Sequence, residues 1–130
     1  LRTVIRPALE RGETVLCDSF TDARFAYQGG GRGLDKALIG TLQAMVQDDL
    51  RPDLTVLLDV SLEVSARRVA GGGEAEDRFE QEQSLSFQRV REAYLEIARA
   101  EPERVKLVDA SRDLAQVQAD IATELSSIIN

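Results

Sequence analysis

The chain has one cysteine and no apolar run near the length of a membrane span. A lone Cys17 excludes an internal disulfide and fits a reducing compartment. Its neighbours are apolar, so a buried strand position is expected for it rather than a reactive thiol. No run approaches the about 18 apolar residues of a transmembrane helix, and the N-terminus carries no signal-peptide pattern, so a cytoplasmic protein with no membrane partner is expected. Positive charge is in short supply: 16 Lys and Arg stand against 23 Asp and Glu, a formal net charge of -7, with no histidine to add to it. A nucleic-acid backbone is held by a basic face, so nucleic acid is not an expected partner. A small phosphorylated substrate needs only a few local cations and stays open; the acidic balance mainly favours solubility. Also missing is any Gly-x-x-x-x-Gly-Lys-Ser/Thr run, the loop that cradles nucleotide phosphates. An initiator Met is absent too, and the chain opens inside what reads as a helix, Leu1-Arg2-Thr3-Val4-Ile5-Arg6-Pro7-Ala8-Leu9. A fragment whose upstream part lies elsewhere is the expectation.

What is present fits one domain with one modest core, since 130 residues with 43% hydrophobic and 30% charged side chains is an ordinary globular composition. Three short apolar runs end in or beside an acidic residue: 14–18 (TVLCD), 54–60 (LTVLLDV) and 105–109 (VKLVD). The middle one is nearly continuous in apolar residues, as in a strand covered on both faces. Helical patterns separate the runs. Residues 34–50 place Leu38, Leu42, Met45 and Val46 on one stripe, and 62–69 reads as a shorter helix. Residues 78–100 repeat Phe79, Leu85, Val90, Tyr94 and Ile97, and 113–129 carry Leu114, Val117, Ile121, Leu125 and Ile128. Pro52 and Pro102 are natural stops, lacking an amide proton and disfavouring helix just before them. Strands alternating with helices predict an α/β domain with a parallel sheet, which gathers ligands at the carboxyl ends of its strands. Asp18, Asp59 and Asp109 fall at those ends. Asp at such positions also caps turns and helices, which is the plainer reading of Asp59 and Asp109.

Two glycine-rich stretches remain, Gly29-Gly30-Gly31-Arg32-Gly33 between two helices and Gly71-Gly72-Gly73 after Arg67 and Arg68. The first belongs to the run Cys17-Asp18-Ser19-Phe20-Thr21-Asp22-Ala23-Arg24-Phe25-Ala26-Tyr27-Gln28-Gly29-Gly30-Gly31-Arg32-Gly33. That run resembles the nucleoside-monophosphate site of bacterial thymidylate kinases. Further segments fit in family order: Ile5-Arg6-Pro7-Ala8-Leu9 with Arg11-Gly12, Arg51-Pro52-Asp53-Leu54-Thr55 leading to Leu58-Asp59-Val60, Asp77-Arg78-Phe79-Glu80-Gln81-Glu82, and Val90-Arg91 before Tyr94-Leu95. The resemblance covers the later two-thirds of a family member. It implies a P-loop-kinase-like parallel sheet flanked by helices, incomplete, with three of its strands present here. On this reading residues 1–130 are one partial nucleoside-monophosphate kinase domain, with the substrate site at 18–33 and a lid at 67–78.

The family transfers the γ-phosphoryl of ATP to thymidine monophosphate (dTMP), so the resemblance implies ATP, Mg2+ and dTMP as partners, and a homodimer with 34–50 as a candidate contact face, an ordinary core stripe being the alternative for that helix. By the same resemblance Asp18 lies near the magnesium–phosphate region without a direct metal bond, and Arg68 and Arg78 flank the lid as catalytic cations; the alternative for both arginines is pairing with Glu74, Glu76 or Glu80 on a solvated face. Ser19, Phe20, Ala23, Arg24, Tyr27 and Gln28 fall in the substrate loop, with Tyr27 under the deoxyribose. Core packing is the alternative for Tyr27 and a surface amide for Gln28. Gly71, Gly72 and Gly73 suit a lid that opens and shuts.

Four positions depart from the family pattern, one of them Ser86, which stands for a usual Phe and is expected to weaken helix packing behind the lid. Ser19 stands for the Arg that grips the monophosphate, whose planar fork matches phosphate oxygens. Arg24 stands where Thr, Ser or Asn is common near thymine, and either compensates for the lost Arg or points to solvent. Gly72 stands for an Arg between the lid glycines. In the family sheet another strand, carrying the phosphate loop, lies between 14–18 and 54–59. Without it the segment alone is expected to be inactive. The alternatives are a non-catalytic nucleotide- or partner-binding module, and a nucleoside-monophosphate kinase with altered base choice.

Overall fold

The computed structural model describes residues 3–18, 22, 26, 37, 50–69 and 77–129, with backbone alone at 69 and 77–83. The order among them is α1 (Ile5–Glu10), β1 (Thr55–Asp59), α2 (Leu62–Val69), α3 (Asp77–Ala100), β2 (Val105–Asp109) and α4 (Leu114–Leu125). The arrangement is α/β, a parallel two-stranded sheet flanked by helices, as expected of an incomplete P-loop-kinase-like fold.

Local chemistry accounts for the element ends. Pro7 falls in the first turn of α1, where amide protons have no intrahelical partner and none is missed. The helix closes on Gly12 at φ 79°, with Gly12 N–H donating to Leu9 O at 2.9 Å and Glu13 N–H to Ala8 O at 3.0 Å. This double closure needs a left-handed residue, which glycine supplies without a Cβ penalty. Ser61 starts α2 by accepting from Val64 N–H at 3.2 Å, and Asp113 starts α4 by accepting from Gln116 N–H at 2.8 Å.

β1 and β2 pair in register from Thr55 with Val105 to Asp59 with Asp109. Two parallel strands require a long crossover, here α2 and α3. Bonds from Thr55 N–H to Arg104 O and from Ala110 N–H to Asp59 O, both 2.9 Å, extend the ladder at its ends. The register therefore sets two aspartates side by side at the carboxyl ends.

The third expected strand does not form. Residues 14–17 adopt no strand pairing among the described residues. They face β1 across a cavity of about 800 Å³ that both segments line, so the backbones are too far apart to share hydrogen bonds. Leu16 is consequently 95% exposed, and Cys17 is exposed rather than buried. The helical stripes need adjustment too. Among the described side chains of α3 the most buried is Ala93, which allows close approach to the sheet, whereas Leu85 faces solvent. The C-terminal helix ends at Leu125, with turns beyond, and its stripe reduces to Val117, Ile121 and Leu125; Leu114 and Ile128 are exposed. The helix expected over 34–50 lies outside the described residues apart from Ala37 and Leu50.

Among the described residues the buried apolar ones are small or medium: Ala8, Ala26, Ala93, Val105, Val108 and Val117. Leu58 and Leu107, on opposite faces of the sheet, stay about half exposed. A sheet of two strands offers little area for helices to cover, and the thin core follows.

Candidate functional site

Cations and carboxylates meet at the carboxyl ends of β1 and β2. Asp59 ends β1, and Arg91 reaches it from the middle of α3 with a two-pronged bond, Nε to Oδ1 at 2.8 Å and Nη2 to Oδ2 at 3.1 Å. The pair is partly buried, with 31% of the Arg91 and 19% of the Asp59 side chain exposed. The bond to Asp59 holds the Arg91 guanidinium still more firmly protonated than usual. Asp109 turns instead to its own loop, accepting from Ser111 N–H at 2.9 Å and from Ser111 Oγ. Those bonds, with the charge of Arg112, hold its carboxyl below the ordinary range. Asp109 is thus the turn cap of the plainer reading. Asp59 is a helix-to-sheet clasp, which neither reading anticipated.

Arg68, in the last turn of α2, donates from Nη2 to Ala110 O at 2.7 Å. Its neighbour Arg67 pairs with Glu63 one turn back. Arg68 therefore rests on a neutral carbonyl, one residue past the end of β2. Asp18 lines the same cavity as Asp59 and Arg91, and is exposed. The cavity is mainly apolar, floored by α3 and closed by Leu125, Ile128 and Ile129.

A second cluster lies at the opposite, amino ends of the strands. Arg104 uses all five of its N–H donors. Nη1 and Nη2 reach Asp22 at 2.9 Å each, Nη2 and Nε reach Glu101 at 2.8 and 3.1 Å, and Nη1 reaches Thr55 Oγ1 at 3.0 Å. The Thr55 hydroxyl in turn donates to Asp22 at 3.3 Å. Only 14% of the Arg104 and 16% of the Asp22 side chain is exposed. The two carboxylates push the Arg104 guanidinium further up, Asp22 most. Arg104, and Arg51 more weakly, hold the Glu101 carboxyl below its ordinary range.

Of the expected site residues, the structure brings Asp18 to the cavity wall and Arg68 to the end of β2. Arg78 stands in the first turn of α3 with its backbone alone described. Ser19, Phe20, Ala23, Arg24, Tyr27, Gln28, Gly71, Gly72 and Gly73 lie outside the described residues. The sequence reading passed over Arg104 and the Asp59–Arg91 pair. Glu101 and Arg104 three residues apart were a visible signal, but nothing local links either residue to Asp22.

The family model for thymidylate kinase matches residues 1–121. The chain belongs to the thymidylate kinase family. It is 56% identical over 129 residues to a thymidylate kinase of Pseudomonas syringae pv. syringae (strain B728a), covering 99% of this chain and 61% of that protein. It is 56% identical over 122 residues to that of Chromohalobacter salexigens, covering 94% and 58%, and 51% identical over 129 residues to that of Methylococcus capsulatus, covering 99% and 62%. The chain thus spans about three-fifths of the length of the curated relatives it matches. No helix among the described residues is long and apolar enough to cross a membrane.

Proposed function

We propose that the protein acts as a thymidylate kinase, moving the γ-phosphoryl of ATP onto dTMP to give dTDP and ADP for dTTP synthesis, in the cytoplasm and as a homodimer. The observation that carries this reading is Arg68, a cation at the carboxyl ends of a parallel sheet, bonded to a neutral carbonyl rather than to a carboxylate. Parallel sheets collect ligands at that end. Phosphoryl transfer asks for positioning and for positive charge around the moving group, with little covalent chemistry from the protein. Arg68 exchanges one carbonyl bond for phosphate oxygens when nucleotide binds, and Arg78 supplies a second cation from the start of α3. Asp18 lies toward the phosphates. Ser19, Phe20, Ala23, Arg24, Tyr27 and Gln28 form the dTMP pocket, with Tyr27 beneath the sugar, and Gly71, Gly72 and Gly73 hinge the lid.

Among the described residues no group of three His, Cys, Asp or Glu side chains could hold a metal ion. These residues do not cage Mg2+, which belongs to the ATP complex and is commonly held there by phosphates with one or two carboxylates. Two substitutions favour a second reading, a non-catalytic binding module: Ser19 and Gly72 both stand where the family pattern has a cation. Arg24, at the base, favours a kinase with altered base choice.

The test is a coupled ADP assay on the product of the whole reading frame, with ATP and each nucleoside monophosphate in turn. ADP release that depends on dTMP supports the kinase. Tight dTMP binding without release supports the binding module, and preference for another monophosphate supports altered base choice. The 130 residues alone, which contain no phosphate loop, are expected to show no turnover.

A further inference from the structure

The carboxyl ends of the sheet carry a contradiction for a protein that receives phosphates there. Register sets Asp59 beside Asp109, and Asp18 looks into the cavity that Asp59 also lines. A carboxylate left unpaired in the neighbourhood of an anionic ligand repels it. Asp109 is occupied by its own turn and lies near Arg112. Asp59 is the carboxylate that belongs to the strand itself and cannot swing far. Arg91 meets it with both prongs at 2.8 and 3.1 Å and comes from a different element, α3.

We infer that Arg91 serves the nucleotide site by masking the charge of Asp59, so that the carboxyl end of β1 presents no net negative charge to a substrate phosphate. This deepens the kinase reading and rests on it. Arg91 acts through Asp59 and is a positioning residue rather than a catalytic one. The same clasp fixes α3, and so the helix that begins with Asp77 and Arg78, against β1. A purely structural clasp and a charge mask differ in what their removal does. Breaking a clasp from either side loosens the site. Removing a mask from the arginine side exposes an anion, whereas removing it from the aspartate side leaves a cation behind.

The experiment uses the whole reading frame's product, with dTMP and uncharged thymidine as probes in calorimetric titration. Arg91→Gln is expected to weaken dTMP binding about tenfold, the order expected for one uncompensated charge several ångströms away at high effective dielectric, and to leave thymidine affinity unchanged. Asp59→Asn is expected to bind dTMP as tightly as the parent or more tightly. Asp59→Asn/Arg91→Gln, which removes both charges and keeps both shapes, is expected within about twofold of the parent, since matched removal of an ion pair is often near neutral. Two single variants that both weaken dTMP, with a double variant no better than Arg91→Gln, overturn the inference, as does an equal loss for thymidine. A parent that binds no dTMP overturns the kinase reading and this inference with it. A parent that binds dTMP but shows the structural pattern overturns the inference alone.

Discussion

Arg104 grips Asp22 with two parallel bonds of 2.9 Å across 82 positions of sequence. Asp22 belongs to the segment that resembles the substrate loop, and Arg104 immediately precedes β2. The bond fixes one point of that segment to the amino ends of the strands, at the other end of the cavity that Asp22 and Asp59 both line.

Removing Arg104 leaves two carboxylates, Asp22 and Glu101, and a Thr55 hydroxyl without their shared partner. Arg104→Met is expected to destabilise the fold by about 2 kcal/mol, below the 3–5 of a fully buried pair because a sixth of the site is open to water. Arg104→Lys keeps the charge but not the fork, and is expected to fall between the two. Urea denaturation curves at neutral pH measure both.

The same cluster sets an acid limit. Arg104 holds the Glu101 carboxyl lower in the folded chain than in the unfolded one. A depressed folded value means the contribution is complete above the unfolded value near about 4.3 and fades as pH falls through the folded value. Stability measured from pH 6 downward is therefore expected to drop below about pH 4.3. Arg104→Met is expected to flatten that part of the curve, because without the cation the two values converge.

Arg68→Gln removes a charge from the end of β2 while leaving an amide to bond Ala110 O. In the product of the whole reading frame we expect kcat to fall about a hundredfold, as for loss of one charge-stabilising donor in other enzymes, with KM for dTMP nearly constant. Arg99→Gln, which only breaks a surface pair with Glu92, is the control and is expected to change neither. Steady-state kinetics distinguishes them, and equal effects would remove Arg68 from the chemistry.

Gly12 stands at φ 79°, and among the described residues nothing lies within 4 Å of an added Cβ. The cost of a side chain there is conformational alone, so Gly12→Ala is expected to lose about 1–2 kcal/mol and Gly12→Asn less. Thermal melts of the two variants check the order.

The sequence exposed the elements that are decided locally. Residues 62–69 and 105–109 were legible end to end, because a serine cap, an arginine-rich last turn and a proline mark their limits. The α3 helix was placed to within one residue. The run 14–18 misled because its composition is that of a strand, yet a strand exists only beside another. Composition speaks to local preference and register speaks to neighbours, so Cys17 was assigned to an interior that the described residues do not provide for it. Arg68 was singled out by the resemblance, and it lies at the end of β2. Arg91 with Asp59 and Arg104 with Asp22 were not, since each joins residues more than thirty positions apart.

Leu16, almost wholly bare, has a consequence for handling the molecule. Greasy extended backbone beside a strand with one neighbour among the described residues invites other chains to zip on. Yield and apparent size are therefore expected to depend on protein concentration, and dilute samples should be the ones that report on a lone molecule.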